Sequence, residues 1–300
     1  MISTHIDEAG IAEVVMDHPP VNALPVAGWY ELADAVTAAG RDGNARVAVL
    51  RAEGRGFNAG VDIKEINAGG FEALIGANRG CFAAFAAVYE CAVPVIAAVH
   101  GFCLGGGIGL AGSADIIVAS EDATFGLPEV DRGALGAATH LSRLVPQHRA
   151  RAMMYTSATA TAAELHAFGS VHSVVPRDRL RAAALGLAAE VAAKDPAVIR
   201  MAKEAFNGID PQDVRRSYRY EQGFTFELNL SGVSGRLRES SLRESFGRPE
   251  RRDLTGARRR AHAAPRGDHP HHHEPPGVRE RTELGDDLRA RRRVLCRRRR

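Results

Sequence analysis

Two stretches of this 300-residue chain combine residue types and spacings that can do chemistry. The first is residues 94–120, PVIAAVHGFCLGGGIGLAGSADIIVAS. An apolar run leads through a turn at His100-Gly101 to Gly105, Gly106 and Gly107, and a second apolar run closes the stretch. The pattern predicts strand, glycine turn, helix, then strand. The first N–H groups of a helix have no partner inside it, and the helix dipole favours negative charge there. Glycine lets another group approach that backbone closely. A Walker phosphate loop needs Lys-Ser/Thr after its glycines, and Ile108-Gly109 stands in that place. A dinucleotide fingerprint, G-x-G-x-x-G, counted from Gly105 and Gly107, fails at Leu110. An oxyanion hole needs only N–H groups aimed at an oxygen that gains charge. Tight helix packing is the purely structural alternative.

The second stretch is residues 123–138, ATFGLPEVDRGALGAA, which holds Glu129 and Asp131. Carboxylates two apart on an extended loop can point the same way. An apolar pocket and a like-charged neighbour both raise a carboxyl pKa and make it a better base near neutrality. Asp131 equally suits the cap of a helix starting near Gly133.

Strands are expected at residues 11–17, 46–51, 94–99, 116–119 and 171–175. Helices are expected at 25–39, with Pro25 in the first turn, at 71–91, with Gly76 and Gly80 as weak points, and at 134–144 and 147–155. Thr161 followed by Glu164 is a capping-box pattern for a short helix. Further helices are expected at 178–193, 196–207 and 211–230. Strands dominate the first half and helices the second, which makes this an α/β protein.

Residues 57–65, FNAGVDIKE, follow the strand at 46–51. Together with PVIAAVHGFCLGGG and ATFGLPEVDRGALGAA, in that order and spacing, they resemble the crotonase (enoyl-CoA hydratase/isomerase) superfamily over about residues 11–230. The resemblance implies a crotonase fold: an N-terminal spiral of ββα units (residues 1–195) and a C-terminal helical trimerisation region (196–233), with trimers often paired into hexamers. It implies an acyl-CoA substrate whose thioester oxygen is held by the N–H groups of Val61 and Gly106. CoA contacts are implied along Ala59, Val61, Asp62, Ile63 and Lys64, with Lys64 and Arg55 near the CoA phosphates. CoA enters as part of the substrate, so no separate cofactor and no metal are expected. Family hydratases use two glutamates. The first falls here on Gly109, which has no side chain, and the second is retained as Glu129, with Asp131 as a second catalytic candidate.

Without the first glutamate, hydration is poorly supported, whereas isomerisation or hydrolytic carbon–carbon cleavage can be written with Glu129 or Asp131. The segments NAGVDIKE, RGCFAAF, VYECAVPVIAAV, ASEDATFGLPEV, GALGAATHLSRLVPQH and EQGFTFELNL are similar to an actinobacterial branch that opens a bicyclic ring CoA thioester in steroid (cholesterol C/D-ring) breakdown. Asp131 stands where that branch has glutamate, and His100 where the family has asparagine. Hydratase, isomerase, ring-opening hydrolase and a crotonase-like scaffold without catalysis all stay open here.

Residues 1–233 carry 19 Lys+Arg against 26 Asp+Glu, whereas residues 234–300 carry 20 Arg, no Lys and 10 Asp+Glu. The basic balance therefore belongs to the tail and says nothing about the partners of the body. The tail is expected to be disordered. Its arginines would suit phosphate, but no aromatics are interleaved for stacking, so nucleic acid is not an expected partner. The histidines at 269 and 271–273 lack the paired spacing of a structural zinc site. Arginine without lysine suggests an out-of-frame reading of a GC-rich gene. Cys81, Cys91, Cys103 and Cys296 form no C-x-x-C pair, which fits reduced thiols. The first ten residues carry no signal-peptide pattern, and no apolar run reaches the ~18 residues of a membrane span. A cytoplasmic enzyme with no membrane partner is expected.

Overall fold

The computed structural model describes residues 1–211 and 213–247, with side chains to residue 240. The expected histidine cluster, Cys296 and most of the Arg-rich tail lie outside the described residues. Strands β1 (Ile2–Ile6), β2 (Ile11–Met16), β3 (Val47–Ala52), β4 (Val95–Val99), β6 (Ile116–Ser120) and β9 (Ser173–Val175) form one sheet in the order β1-β2-β3-β4-β6-β9. β1 runs antiparallel to β2 and the remaining pairs are parallel. β4 reads as an unbroken apolar run, and β3 as one interrupted only by Arg51, because helices cover both faces of a parallel sheet. One face packs on α1 (Val26–Arg41) and α2 (Ile63–Tyr89), the other on α7 (Leu180–Ala192) through Leu180, Ala184 and Ala188.

A second sheet, β5 (Phe102–Leu104), β7 (Thr124–Gly126) and β8 (Thr159–Thr161), stands beside the first. A single bridge, Asn58 to Cys103, ties it to the loop that follows β3. Helix α3 (Gly106–Ser113) starts where β5 ends and runs into β6. Helices α4 (Ala138–Leu144), α5 (Gln147–Thr156) and α6 (Ala162–Ala167) follow, and α8 (Pro196–Ile209), α9 (Val214–Leu230) and α10 (Val233–Gly247) complete the described chain.

Several expected boundaries move, each for a physical reason. α2 begins at Ile63 rather than at 71, because the Asp62 side chain accepts hydrogen bonds from Lys64 N and Glu65 N and caps a first segment. Gly70, at φ 59° and ψ −138°, breaks the helix, and the expected helix is its second segment. Gly76 and Gly80 are close-packing points rather than weak points. A Cβ on Gly80 would lie 2.8 Å from Trp29 Cβ, and one on Gly76 3.0 Å from Val26. The helix expected from 134 starts at Ala138, and residues 134–137 stay open as a loop. Thr161 does cap α6, accepting from Glu164 N at 3.2 Å.

By length and mean hydropathy α2 is apolar enough to cross a membrane. It instead packs into the core, with Leu74, Cys81, Ala84, Phe85 and Val88 buried. Helix α10 runs across the expected body–tail boundary at 233/234. Ser234 is buried, and its hydroxyl donates to Gly133 O.

Candidate active site

The loop after β3 and the turn before α3 face each other across a narrow gap. A Cβ on Gly60 would lie 3.2 Å from Gly106 N, and one on Gly106 would lie 3.2 Å from Gly60 Cα and 2.6 Å from the Trp29 ring. Only glycine permits this approach. Leu24 bridges to Val61, donating to Gly60 O at 2.9 Å and accepting from Asp62 N at 3.0 Å. Val61 N lies between these two bonds and Gly106 N across the gap, and neither donates to an acceptor among the described residues. Gly106 is the first residue of α3, so its N–H has no partner within the helix. Two free donors thus sit on opposed backbones.

Asparagines that the sequence reading passed over hold this gap open. Asn58, fully buried, accepts from Gly60 N at 2.8 Å and donates to Asn22 O at 2.6 Å. Asn22 in turn donates to Glu53 O and Gly56 O and accepts from His18 N. Its φ of 53° suits asparagine. The only signal in the sequence was an asparagine beside prolines and another before Ala59-Gly60.

Ala59, Gly60, Val61, Ile63, Gly105, Gly106 and Glu129 line one cavity of about 110 Å³. Glu129 sits in the 3₁₀ turn Pro128–Arg132, with its carboxyl over Gly105, where an added Cβ would lie 2.3 Å from Oε1. Its Oε2 is buried without a hydrogen-bond partner among the described residues. Burial pushes its pKa up to about 7, with Arg132 nearby lowering it slightly. A carboxyl that titrates at neutrality in an apolar cavity can take a proton from water and return it.

Asp131 is exposed on the same turn and does not line the cavity. It also lies inside the turn rather than capping a helix, and Gly133 ends that turn in the left-handed conformation. Of the expected CoA contacts, Ala59, Val61 and Ile63 line the cavity, whereas Asp62 caps α2. Lys64 and Arg55 are exposed.

Gly109 lies one turn into α3, and a Cβ there would meet the Phe85 ring at 2.1 Å. No side chain fits at this place, and Phe85 itself lines the cavity. His100 is a turn residue: its Nε2 lies 3.1 Å from Gly54 O, and burial lowers its pKa.

The far wall comes from α2 and α9. Thr225 accepts from Leu135 N at 3.1 Å and donates to Leu135 O at 2.6 Å. Glu221 accepts from Ala138 N at 2.9 Å. One helix therefore clamps the open loop 134–137 from both ends. Glu221 is pushed up to about 8, first by burial, with Glu129 contributing. Asn78 Nδ2 is buried and unpartnered among the described residues, and Cys81 and Tyr218 complete this wall. Among the described residues no three His, Cys, Asp or Glu side chains gather as a metal would need.

The family profile for enoyl-CoA hydratase/isomerase matches residues 7–227. A (7aS)-7a-methyl-1,5-dioxo-2,3,5,6,7,7a-hexahydro-1H-indene-carboxyl-CoA hydrolase of Mycobacterium tuberculosis is 66% identical over 245 residues, 81% of this chain and 99% of that protein. The hydrolase of the same name from Rhodococcus jostii is 65% identical over 79% of this chain and 93% of its own length. Among solved structures, an enoyl-CoA hydratase/isomerase from Xanthobacter autotrophicus Py2 superposes with a TM-score of 0.73 at 27% identity, covering 82% of this chain and 95% of that one.

Proposed function

The chain belongs to the enoyl-CoA hydratase/isomerase (crotonase) family, and from that premise we propose that it hydrolyses a carbon–carbon bond of a bicyclic, steroid-derived diketone CoA thioester. The observation that carries the reading is that, among the described residues, the cavity holds a single carboxylate, Glu129, and Phe85 blocks a second one at Gly109. Syn-hydration wants one group to activate water and another to protonate carbon. Cleavage needs one base used twice.

In this reading Glu129 takes a proton from water as its oxygen adds to a ring ketone. The bond from that carbon to the neighbouring ring carbon breaks. Its electron pair passes toward the thioester, whose oxygen becomes an enolate oxyanion. Val61 N–H and Gly106 N–H, free and opposed, receive that charge, and each such donor contributes about 3 kcal/mol in comparable sites. Glu129 then returns its proton to carbon. One water is consumed and one carboxylate appears where the ring ketone stood.

The thioester's CoA portion would pass over Ala59, Ile63 and the start of α2, near Lys64, and no separate cofactor is invoked. Asp131 has no part in this scheme because it is exposed outside the cavity. Assembly into trimers, paired into hexamers, belongs to the same reading. The support for it is the exposed apolar set Val198, Met201, Phe206 and Ile209 on α8. A cytoplasmic setting is also proposed, supported by the buried, unpaired Cys81, Cys91 and Cys103.

The test is to incubate the full chain with the bicyclic diketone CoA thioester in ¹⁸O-water. The expected product is heavier by one labelled water and carries a new carboxylate, and Glu129→Gln abolishes its formation. A short trans-2-enoyl-CoA should keep its absorbance under the same conditions. Fast loss of that absorbance, removed by Glu129→Gln, would replace the reading with a hydratase that works with one glutamate. A shift of the double bond without gain of water would replace it with an isomerase.

A further inference from the structure

Two cations stand in the wall of a largely apolar cavity and, among the described residues, neither forms an ion pair; Glu129 in the same wall feels the charge of Arg132 without a hydrogen bond to it. Arg132 ends the turn that carries Glu129, and Arg238 comes from α10; both line the cavity and both are half-buried. Arg132 makes no hydrogen bond or ion pair with any described residue. Arg238 donates from Nη1 and Nη2 to Asn229 Oδ1 at 3.1 Å, a neutral acceptor. Burial lowers the pKa of Arg238, as expected for a guanidinium removed from water without a counter-charge. Some arginines of the fold find acids, Arg51 and Arg181 on Glu13 and Arg149 on Glu164, while Arg46 and Arg200 donate to backbone carbonyls away from the cavity. Partly desolvated charges are costly unless paired, and the guanidinium fork matches a carboxylate with two parallel hydrogen bonds.

We propose that Arg132 and Arg238 form an anion subsite that receives the carboxylate released when the ring opens. This rests on the ring-opening reading, which creates a negative charge inside the cavity where the substrate had a neutral ketone. The only carboxyl in the cavity wall among the described residues is Glu129, which acts by exchanging a proton. The new carboxylate therefore needs a separate cation. Arginines placed for it hold the product end away from Glu129 and leave that group free to protonate carbon. Their charge also favours the forward direction, because it stabilises the ionised product and not the ketone.

The probes are adipoyl-CoA, a thioester ending in a carboxylate, and hexanoyl-CoA, its neutral counterpart of equal length. Binding of each to the full chain is measured by calorimetry. One charged hydrogen-bonded pair should make adipoyl-CoA bind roughly tenfold more tightly or better. In Arg132→Gln and in Arg238→Gln that preference should fall toward one, while hexanoyl-CoA affinity changes less than about twofold and Arg132→Lys keeps part of the preference. Fluorescence of the buried Trp29 reports whether each variant is folded.

A parent protein with no preference overturns the proposal. So does equal loss of both thioesters in the variants, which would assign the arginines to the CoA phosphates. Ring opening by the parent without an adipoyl preference removes this subsite and leaves the ring-opening reading intact. An arginine-dependent preference without ring opening of the bicyclic thioester keeps the anion subsite and removes the reading it was built on.

Discussion

Replacing Glu129 by Gln should make the protein more stable, and only on the alkaline side. The Glu129 carboxyl is buried, its Oε2 has no partner among the described residues, and its pKa rises from 4.5 to about 7. Between those two values the folded protein keeps a proton that the unfolded chain has lost. Stability therefore falls as pH rises through this window. Below about pH 4.5 both states are protonated and the carboxyl imposes no charge penalty. Above about pH 7 the penalty is complete. At 1.36 kcal/mol per pKa unit, the rise from 4.5 to about 7 corresponds to about 3 kcal/mol. The amide introduced by Glu129→Gln is neutral throughout and escapes this loss. Glu221, pushed up to about 8 with Glu129 contributing, adds a slope of the same sign in both proteins; loss of the Glu129 charge lowers the Glu221 pKa in the variant and adds to the gain in the same direction.

Urea unfolding at fixed protomer concentration, followed by the single tryptophan, measures it directly. Trp29 is fully buried, and its ring packs against Gly106. The stability gain of Glu129→Gln should be near zero at pH 4.5 and about 3 kcal/mol at pH 8. A gain that does not change with pH, or a loss that grows toward pH 8, would refute the burial argument.

The same titration should appear in catalysis. If Glu129 is the base of the proposed reaction, it works in its ionised form, and kcat for ring opening should rise with pH through an apparent pKa near 7, measured by product mass at saturating substrate. Gly109→Ala places a Cβ against Phe85 and should cost about 1–3 kcal/mol by urea unfolding, and Gly109→Glu should not gain enoyl-CoA hydration. Thr225→Val leaves Leu135 N and O unpaired and should destabilise by about 2 kcal/mol, with a raised KM because Leu135 lines the cavity. Asn58→Ala removes two buried hydrogen bonds and should cost about 2–3 kcal/mol. Its kcat should fall further than a matched loss of stability elsewhere, because Gly60 and Val61 lose their support.

What the sequence determined by itself was local. Apolar runs bounded by turns marked β2, β3, β4 and β6, because strands covered on both faces carry few polar positions, here Glu13, Arg51 and Ser120. The glycine triplet was legible as a close-approach turn that left an oxyanion hole and tight helix packing both open, and only the family resemblance picked out Val61 and Gly106 as its donors. Glu129 stood out, through the same resemblance, as the family's second glutamate by its place after Phe125-Gly126-Leu127-Pro128. The tertiary structure decided everything that depends on distance between remote segments. It separated Glu129 from Asp131: residues two apart point together on an extended strand, but the 3₁₀ turn Pro128–Arg132 sends one into the cavity and the other to solvent. It filled the space at Gly109 with Phe85, from the preceding helix α2. It also made Thr225 and Glu221 the supports of the cavity loop, and brought Arg132 and Arg238 into one wall. Burial and pairing are properties of what surrounds a side chain, and no spacing along the chain encodes them.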